Sequence, residues 1–217
     1  MLSKEDARRF YNRMGARQDW QWVFEGLPVM TLLEQSEFGE ARAVVEFGCG
    51  TGHVAEILME RYLSDAAVYY GYDISPIMNG IAVRRLERYG DRVRLQITEG
   101  APEIPAADSS VDRFLSTYVL DLLPAEDISA VLNDAYRVLR PDGLVCLAGL
   151  TFAQKWHSRA VMSLWTGIHS VRPWLVGGCR PIRLTDYLGA PRWEIAFSTV
   201  VTHLAMPTEL IVARKKS

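Results

Sequence analysis

Val44-Val45-Glu46-Phe47-Gly48-Cys49-Gly50-Thr51-Gly52 is the stretch that decides the fold of this chain. Its first half is a short apolar run that stops at Gly48, as a buried parallel strand does. Residues 54–63 follow with helical spacing. A glycine-rich turn between a strand and a helix lets the backbone approach a ligand closely. The stretch therefore predicts a ligand-binding turn at the carboxyl end of the first core strand.

The same alternation of strand and helix continues as far as residue 150. The sequence predicts these further elements: strands at 68–72, 93–97, 111–117 and 144–148, and helices at 76–89 and 127–139. Repeated alternation with short connections predicts an α/β fold with a doubly wound parallel sheet. Two final strands, at about 193–200 and 209–214 with Pro207 in the turn between them, would add an antiparallel strand to that sheet.

Composition and charge describe an ordinary globular chain. Hydrophobic residues make up 49% and charged residues 23% of the 217 residues, which excludes a disordered or fibrous protein. A net charge of −2 gives no general attraction to nucleic acid or anionic lipid. The three cysteines are far apart and form no zinc-binding pattern, so we expect no metal and a reducing, cytoplasmic location. The charged N-terminus is unlike a signal peptide, and no apolar run reaches the roughly 18 residues of a transmembrane helix.

Two acidic residues accompany the glycine turn. A dinucleotide fingerprint has the pattern G-x-G-x-x-G, and from Gly48 its third glycine falls on His53. Glu46 would also lie poorly beside a pyrophosphate, whereas its carboxylate suits a cationic amine. Asp73, at the end of the second strand, is placed to accept hydrogen bonds from a ribose diol. The alternative role of Asp73 is a solvated turn residue or a helix cap.

Several blocks of the sequence resemble a known enzyme superfamily. Residues 44–58 (VVEFGCGTGHVAEIL) resemble the first motif of class I S-adenosylmethionine-dependent methyltransferases, and residues 69–79 (YYGYDISPIMN) resemble the second. Residues 99–124 and the segment RVLRPDG at 137–143 resemble the remaining shared blocks. The similarity covers about residues 40–150. Within the superfamily, the chain looks most like the branch that includes ubiquinone/menaquinone C-methyltransferases and bacterial phosphatidylethanolamine N-methyltransferases.

The resemblance implies a Rossmann-like, doubly wound seven-stranded sheet in the order 3-2-1-4-5-7-6, with strand 7 antiparallel and with helical lid elements. It also implies S-adenosylmethionine as the cofactor and S-adenosylhomocysteine as the product. The cofactor-binding residues that it implies are Glu46, Gly48, Cys49, Gly50, Asp73, Ile74, Met78, Gly100, Ala101 and Thr117. The glycine turn would line the methionine moiety, Glu46 would face its ammonium group, and Asp73 would hold the ribose. Thr117, Tyr118 and Val119 would lie near the sulfonium.

One departure from the family concerns the adenine. Ile74 and Met78 would flank the ring, but many relatives also carry Gly-Asp-Ala, whose Asp accepts the adenine amino group. This chain has Glu99-Gly100-Ala101 there, so the Asp is absent. Backbone groups at Gly100 and Ala101 would then hold the adenine, or Glu99 would substitute for the Asp.

The parts outside the shared core predict where the acceptor binds. Residues 1–40 are predicted as an N-terminal helical lid, with one helix at 4–14 and a second from Pro28 to about Ser36. Residues 41–217 are predicted as the methyltransferase domain, with a lid and acceptor-binding insertion at 151–190. The aromatic residues predicted to cover the substrate are Tyr11, Trp20, Trp22, Trp156 and Trp165. Their concentration favours a small, hydrophobic, lipid- or quinone-like acceptor. The alternative is that they pack in the core and that the N-terminal helices never open.

Methyl transfer from a sulfonium is a direct displacement, so no covalent nucleophile is required. Positioning the reactants contributes up to about 7–11 kcal/mol, and a base is needed only if the acceptor must lose a proton. Tyr118, just after the fourth strand, is the candidate catalytic residue, and its alternative role is a pocket wall. Asp121 could face the acceptor or cap the next segment. His53, His157 and His169 are favoured as surface or core residues.

The sequence therefore predicts an S-adenosylmethionine-dependent methyltransferase that acts on a small molecule and not on nucleic acid. Which acceptor atom (N, O, C or S) receives the methyl group stays open, as does the oligomeric state. A nicotinamide-dependent oxidoreductase is one alternative, which the missing third glycine disfavours. A binding module that keeps the cofactor fold without catalysis is another, because the adenine Asp is absent and no base is obvious.

Overall fold

A seven-stranded mixed sheet forms the centre of the molecule, which the computed structural model describes over residues 3–153 and 156–216. Its strands are β1 (Ala43–Phe47), β2 (Val68–Asp73), β3 (Val93–Ile97), β4 (Val111–Thr117), β5 (Leu139–Leu150), β6 (Trp193–His203) and β7 (Met206–Lys215). They lie side by side in the order β3-β2-β1-β4-β5-β7-β6, and β7 runs antiparallel to both β5 and β6. The predicted Rossmann-like sheet, with its antiparallel strand, is confirmed.

Helices cover the sheet and connect its parallel strands. They are α1 (Lys4–Met14), α2 (Trp22–Glu34), α3 (His53–Arg61), α4 (Pro76–Leu86), α5 (Ala125–Val138) and α6 (Trp156–Val171). Short 3-10 helices occur at Gly15–Gln21, Phe38–Glu40, Glu87–Arg92, Leu120–Leu122, Pro173–Val176 and Leu184–Tyr187. Residues of α2 and α3 belong to one hydrophobic cluster and residues of α5 to a second, as expected for helices on both faces of a sheet. No helix within the described residues is long and apolar enough to cross a membrane.

The two N-terminal helices differ in how they pack. Ser3 caps α1 by accepting a hydrogen bond from the Asp6 N–H (3.1 Å), as predicted, but α1 has no buried residue. In contrast, α2 buries Val29, Leu32 and Leu33 in the core. Within the predicted lid, residues 3–21 therefore add no buried residue to the core, whereas α2 does. We call residues 3–21 the N-terminal strap.

The second helix was expected to begin at Pro28, and this prediction is wrong. α2 begins at Trp22 and carries Pro28 in its interior, where proline removes one backbone hydrogen bond. Burial of the apolar face of α2 outweighs this loss, because tertiary packing supplies most of the stability of a helix in a protein.

The turn between the last two strands also differs from the prediction. Leu204 and Ala205 make the turn, with φ of +45° and +67°. Pro207 lies inside β7 and faces Thr202 of β6, while its carbonyl accepts a hydrogen bond from the Thr151 N–H (3.0 Å). Proline needs no partner for a backbone N–H, so this strand position accommodates it.

Candidate active site

A cleft of about 170 Å³ opens at the carboxyl ends of β1, β2 and β4, beneath the N-terminal strap. Ligands of open parallel sheets bind at this edge. The sequence-predicted residues that line the cleft are Tyr11, Trp22, Glu46, Gly48, Cys49, Gly50, Asp73, Ile74, Met78, Gly100, Thr117 and Tyr118. Trp20, Trp165 and Ala101 are not among the described residues that line it.

The glycine turn is shaped by positive backbone angles. Gly48 and Gly50 have φ of +83° and +52°, a region that other residues rarely adopt. A Cβ on Gly48 would also collide with the side chain of Val119, so only glycine fits there. The backbone N–H groups of Gly48 and Cys49 donate to the Tyr72 carbonyl at 2.7 and 3.1 Å, which ties the turn to the end of β2.

Asp73 joins the glycine turn to the start of α4. Its Oδ2 accepts from the Gly50 N–H (2.9 Å) and its Oδ1 from the Ser75 N–H (2.7 Å). Burial raises the pKa of Asp73, and these backbone hydrogen bonds oppose the shift. The carboxylate thus braces the turn and still lines the cleft. Because each carboxylate oxygen can accept more than one hydrogen bond, the turn-bracing and ribose-binding roles are compatible.

Glu46 is a buried carboxyl group at the end of β1. The Tyr69 hydroxyl donates a hydrogen bond to its Oε2. Burial raises the pKa of Glu46 to about 7, although the Tyr69 hydrogen bond opposes this shift. No described cation forms an ion pair with Glu46, so a cationic ligand group in the cleft would stabilise its carboxylate.

The adenine end of the predicted site contains no acidic residue in the expected place. Gly100 lines the cleft, with the side chains of Ile74 and Lys4 against it. Glu99 and Ala101 are exposed. Thr98, whose N–H donates to the Asp73 carbonyl (2.8 Å), also lines the cleft. Sequence reasoning missed Thr98, although its position directly after β3 could have indicated it.

Tyr118 lies at the other end of the cleft, and its hydroxyl is already engaged. The residue has φ of +55°, and its hydroxyl shares a 2.8 Å hydrogen bond with Thr208 Oγ1. Burial, followed by the negative charge of Glu25, strongly raises the pKa of the Tyr118 phenol. A phenol with a raised pKa is a poor proton acceptor at neutral pH, so the geometry favours the pocket-wall role for Tyr118.

The N-terminal strap contacts the glycine turn directly through residues that sequence reasoning missed. Gln18 packs over Gly50, and its buried Oε1 has no hydrogen-bond partner among the described residues. Asp19 accepts a hydrogen bond from the Thr51 hydroxyl (2.6 Å) and forms an ion pair with Arg85 of α4. No motif surrounds Gln18 and Asp19, so the sequence offered no signal for either.

The predicted aromatic lid residues have different surroundings. The Tyr11 hydroxyl is 3.5 Å from the Gly177 carbonyl, and Trp22 packs edge-on against His53 at 4.5 Å between ring centroids. Trp20 is 81% exposed, and the Trp165 indole donates to the Cys179 carbonyl at 2.9 Å. The side chain of Trp156 lies outside the described residues.

Among the remaining candidates for acid–base chemistry, His53 packs against Trp22 and lines the cleft, Asp121 and His169 are engaged by the backbone, and the side chain of His157 lies outside the described residues. Asp121 is fully buried, and its Oδ2 accepts from the Leu150 N–H (3.1 Å). His169 Nε2 is 3.1 Å from the Gly178 carbonyl. Sequence reasoning missed Glu25, a carboxylate of α2 that lines the cleft.

The arrangement fits S-adenosylmethionine. Two positive-φ glycines, the carboxyl groups of Glu46 and Asp73 and the unpartnered Gln18 amide oxygen lie around one cleft. Carboxylate and amide oxygens suit the ammonium and hydroxyl groups of this cofactor. Within residues 3–153 and 156–216, no group of three or more His, Cys, Asp or Glu is placed to hold a metal ion.

Comparison with known proteins agrees with this fold. A family profile described as a methyltransferase domain matches residues 44–143. The tRNA N(3)-methylcytidine methyltransferase Mettl2 of Drosophila melanogaster is 27% identical over 134 residues, 59% of this chain and 41% of that protein. A malonyl-[acyl-carrier protein] O-methyltransferase of Methylovorus sp. is 23% identical over 154 residues, 69% of this chain and 51% of that protein. The chain spans about half the length of these curated relatives.

A solved structure extends the likeness over nearly the whole chain. N-methyltransferase NodS from Bradyrhizobium japonicum WM9, in complex with S-adenosylhomocysteine, superposes with a TM-score of 0.72 at 16% identity. The match covers 97% of this chain and 99% of that one, and at such low identity it concerns the fold. With the matched domain and the strand order, it confirms the predicted superfamily and, at the level of that superfamily, the predicted cofactor. Residues 44–143 therefore match a methyltransferase domain, and the sheet has the strand order expected for the class I S-adenosylmethionine-dependent methyltransferases.

Proposed function

We propose that this protein transfers a methyl group from S-adenosylmethionine to a small-molecule acceptor. The proposal depends on one observation: Glu46, the glycine turn and Asp73 line one cleft at the carboxyl edge of the sheet. When bound, the cofactor supplies an electrophilic methyl group on a positively charged sulfur.

Each group around the cleft has a proposed role in holding the cofactor. The Glu46 carboxylate and the Gln18 amide oxygen accept hydrogen bonds from the ammonium group, and the glycine turn lies along the methionine moiety. Asp73 binds the ribose hydroxyls. Thr98 and Gly100 face the adenine between Ile74 and Met78, in place of the absent Asp. Thr117 and Tyr118 form the wall at the sulfonium end.

The acceptor side of the cleft is largely apolar. Trp22, Val29, Val119 and Leu122 line it, which supports a small and partly hydrophobic acceptor, including lipid- or quinone-like molecules. One relative is named as a tRNA methyltransferase. The net charge of −2 supports a small molecule instead, because nucleic-acid binding draws its affinity mainly from cationic side chains.

The N-terminal strap acts as the lid in this proposal, and residues 151–190 complete the acceptor site. A volume of about 170 Å³ is below the roughly 300–1,000 Å³ typical of small-molecule sites. Opening of the strap would therefore precede binding of cofactor and acceptor, and its closure would exclude water. Because α2 is buried, the moving part is residues 3–21 and not the whole of residues 1–40.

A screen of fractionated metabolite extract with methyl-labelled S-adenosylmethionine tests this function. We expect label to appear in a small organic molecule, with stoichiometric release of S-adenosylhomocysteine. Binding of S-adenosylhomocysteine without label transfer to any fraction would favour the alternative of a non-catalytic binding module. Reduction or oxidation of a substrate with NAD(P), and no label transfer, would favour the oxidoreductase alternative.

A further inference from the structure

Glu25 is a carboxylate in the cleft that the cofactor roles leave unused. It lies on α2 between Trp22 and Val29, three residues after one and four before the other, and all three line the cleft. This spacing places them on one face of the helix. The wall that Glu25 shares includes Tyr11, Tyr118 and Cys179, at the end away from the adenine.

No described residue neutralises Glu25. Its carboxylate has no hydrogen bond or ion pair with any residue in 3–153 or 156–216. The neighbouring hydroxyls are engaged elsewhere, Tyr11 with the Gly177 carbonyl and Tyr118 with Thr208. The Arg180 guanidinium, whose charge acts on Asp121, donates to the Leu123 carbonyl at 2.7 Å.

A second carboxyl group lies behind this end of the cleft. Asp121 lies behind the wall with no exposure, and its Oδ1 has no hydrogen-bond partner. Burial, with a contribution from the charge of Asp121, raises the pKa of Glu25 to about 8. A half-buried carboxylate without a partner is costly, which indicates a site completed by a positively charged or hydrogen-donating ligand.

We propose that the acceptor is an amine and that Glu25 binds its basic nitrogen, the atom that receives the methyl group. This inference rests on the proposed function and specifies its acceptor. Aromatic and apolar neighbours of Glu25 would hold a hydrophobic body attached to that nitrogen.

The reaction balances with this one carboxylate. The acceptor arrives as an ammonium ion and gives one proton to Glu25, which frees the nitrogen lone pair. The lone pair then forms the N–C bond to the methyl carbon while the C–S bond breaks, and that electron pair stays on sulfur. The product is a methylated ammonium ion beside neutral S-adenosylhomocysteine, and the proton on Glu25 leaves to solvent.

Other acceptor atoms suit this environment less well. A carboxylate acceptor would be repelled by Glu25 in its charged form. An aliphatic alcohol is far too weak an acid to lose its proton to a carboxylate in the ground state, and the Tyr118 hydroxyl is bound to Thr208. An ammonium ion neutralises Glu25, and because burial raises the pKa of Glu25 to about 8, within about two units of that of an alkylammonium ion, the proton transfer is only modestly uphill.

The test uses the full chain and a panel of hydrophobic primary and secondary amines, each with its matched alcohol and carboxylate. Methyl transfer is monitored through the release of S-adenosylhomocysteine. Binding of each probe to the S-adenosylhomocysteine-loaded protein is measured by titration. We expect amines to bind and to be methylated in preference to their matched compounds. Glu25→Gln should lower kcat/KM for the best amine about 10- to 150-fold, the range for loss of a hydrogen bond to a charged group.

Two variants control for folding and for charge in general. Glu34→Gln removes an exposed carboxylate from the end of the same helix and should leave kcat/KM unchanged. Glu25→Asp keeps the charge and should retain more amine activity than Glu25→Gln. Both Glu25 variants should bind S-adenosylhomocysteine as the wild type does, which shows that the cleft is intact.

Three results would overturn the inference. The first is tighter binding or faster methylation of alcohols or carboxylates than of the matched amines. The second is amine binding no tighter than that of the matched alcohol. The third is an equal kcat/KM for the best amine in Glu25→Gln and in the wild type. In these cases retained S-adenosylhomocysteine binding would leave the proposed function standing, whereas absence of that binding in the wild type would refute the proposed function itself.

Discussion

At the scale of single residues, the glycine turn leaves no room for a side chain at Gly48. Gly48 has a φ of +83°, and the Val119 side chain occupies the space that a Cβ on Gly48 would need. Gly80, in contrast, lies within α4, and the nearest atom to a Cβ placed there is the end of the flexible Arg84 side chain at 3.9 Å. The two glycines form a matched pair for the same substitution.

We predict that Gly48→Ala abolishes measurable S-adenosylhomocysteine binding while the sheet stays folded. The added methyl group would displace Val119 or the turn itself, and both line the cleft. Gly80→Ala should bind normally and gain up to about 1 kcal/mol in stability, because alanine favours a helix. Titration calorimetry and thermal unfolding measure the two effects. Equal affinities in the two variants would contradict the assigned geometry.

At the scale of elements, the N-terminal strap is held to the cleft by polar contacts and not by burial. Asp19 bonds to Thr51 and Arg85, and the Ser75 hydroxyl donates to Asn12 Oδ1 at 2.6 Å. These pairs are partly exposed, and such contacts contribute little each to stability. We therefore expect the strap to open without disturbing the core.

We predict that the strap is cut by trypsin faster in the free protein than in the presence of S-adenosylhomocysteine. Arg13 and Arg17 are exposed cleavage sites within it, and ligand binding should favour the closed strap. Cleavage at Arg192, an exposed residue before the amino end of β6 at the opposite edge of the sheet, serves as the control and should not change. Deleting residues 1–19 should preserve the circular dichroism spectrum and abolish methyl transfer.

Two outcomes would contradict the lid role of the strap. Full methyl transfer after the deletion would show that the strap is dispensable for catalysis. Global unfolding of the shortened chain would instead show that α1 is a permanent part of the structure.

The elements also show what a sequence can and cannot predict. The positions of the core strands followed from buried apolar runs and the glycine turn, because these patterns are local, whereas the strand order was implied by the resemblance to class I methyltransferases. The start of α2 did not follow from a local pattern. Proline usually marks the first turn of a helix, but burial of Val29, Leu32 and Leu33 stabilises a helix that carries Pro28 in its interior. Gln18 and Glu25 reach the cleft through the path of the strap and α2, which no local pattern encodes.

At the scale of the whole molecule, buried carboxyl groups link the site to stability. Burial raises the pKa of Glu25 to about 8 and those of Glu46 and Asp121 to about 7. The groups that face Glu46 are Tyr69, which donates a hydrogen bond, and Asp73, whose negative charge raises the pKa further. All three carboxyl groups therefore bind protons more tightly in the folded chain than in the unfolded one.

We predict that the free energy of unfolding of the cofactor-free protein falls as the pH rises from about 5 to 8. The folded state holds more protons than the unfolded state in this range, so each such carboxyl contributes a negative slope of up to about 1.4 kcal/mol per pH unit. Urea unfolding at several pH values measures the slope, and Glu46→Gln should make it shallower. Stability that rises over this range would contradict the burial of these groups.

The central claim is that the cleft between the glycine turn and Asp73 binds S-adenosylmethionine, and titration calorimetry with S-adenosylhomocysteine tests it most directly. We predict one-to-one binding to the wild type, weakened by about 1.5–3 kcal/mol in Asp73→Ala, the scale of a hydrogen bond to a charged group. Glu99→Ala should bind normally, because Glu99 is exposed and lies outside the cleft lining. No binding to the folded wild type, or equal affinity in Asp73→Ala, would contradict the claim.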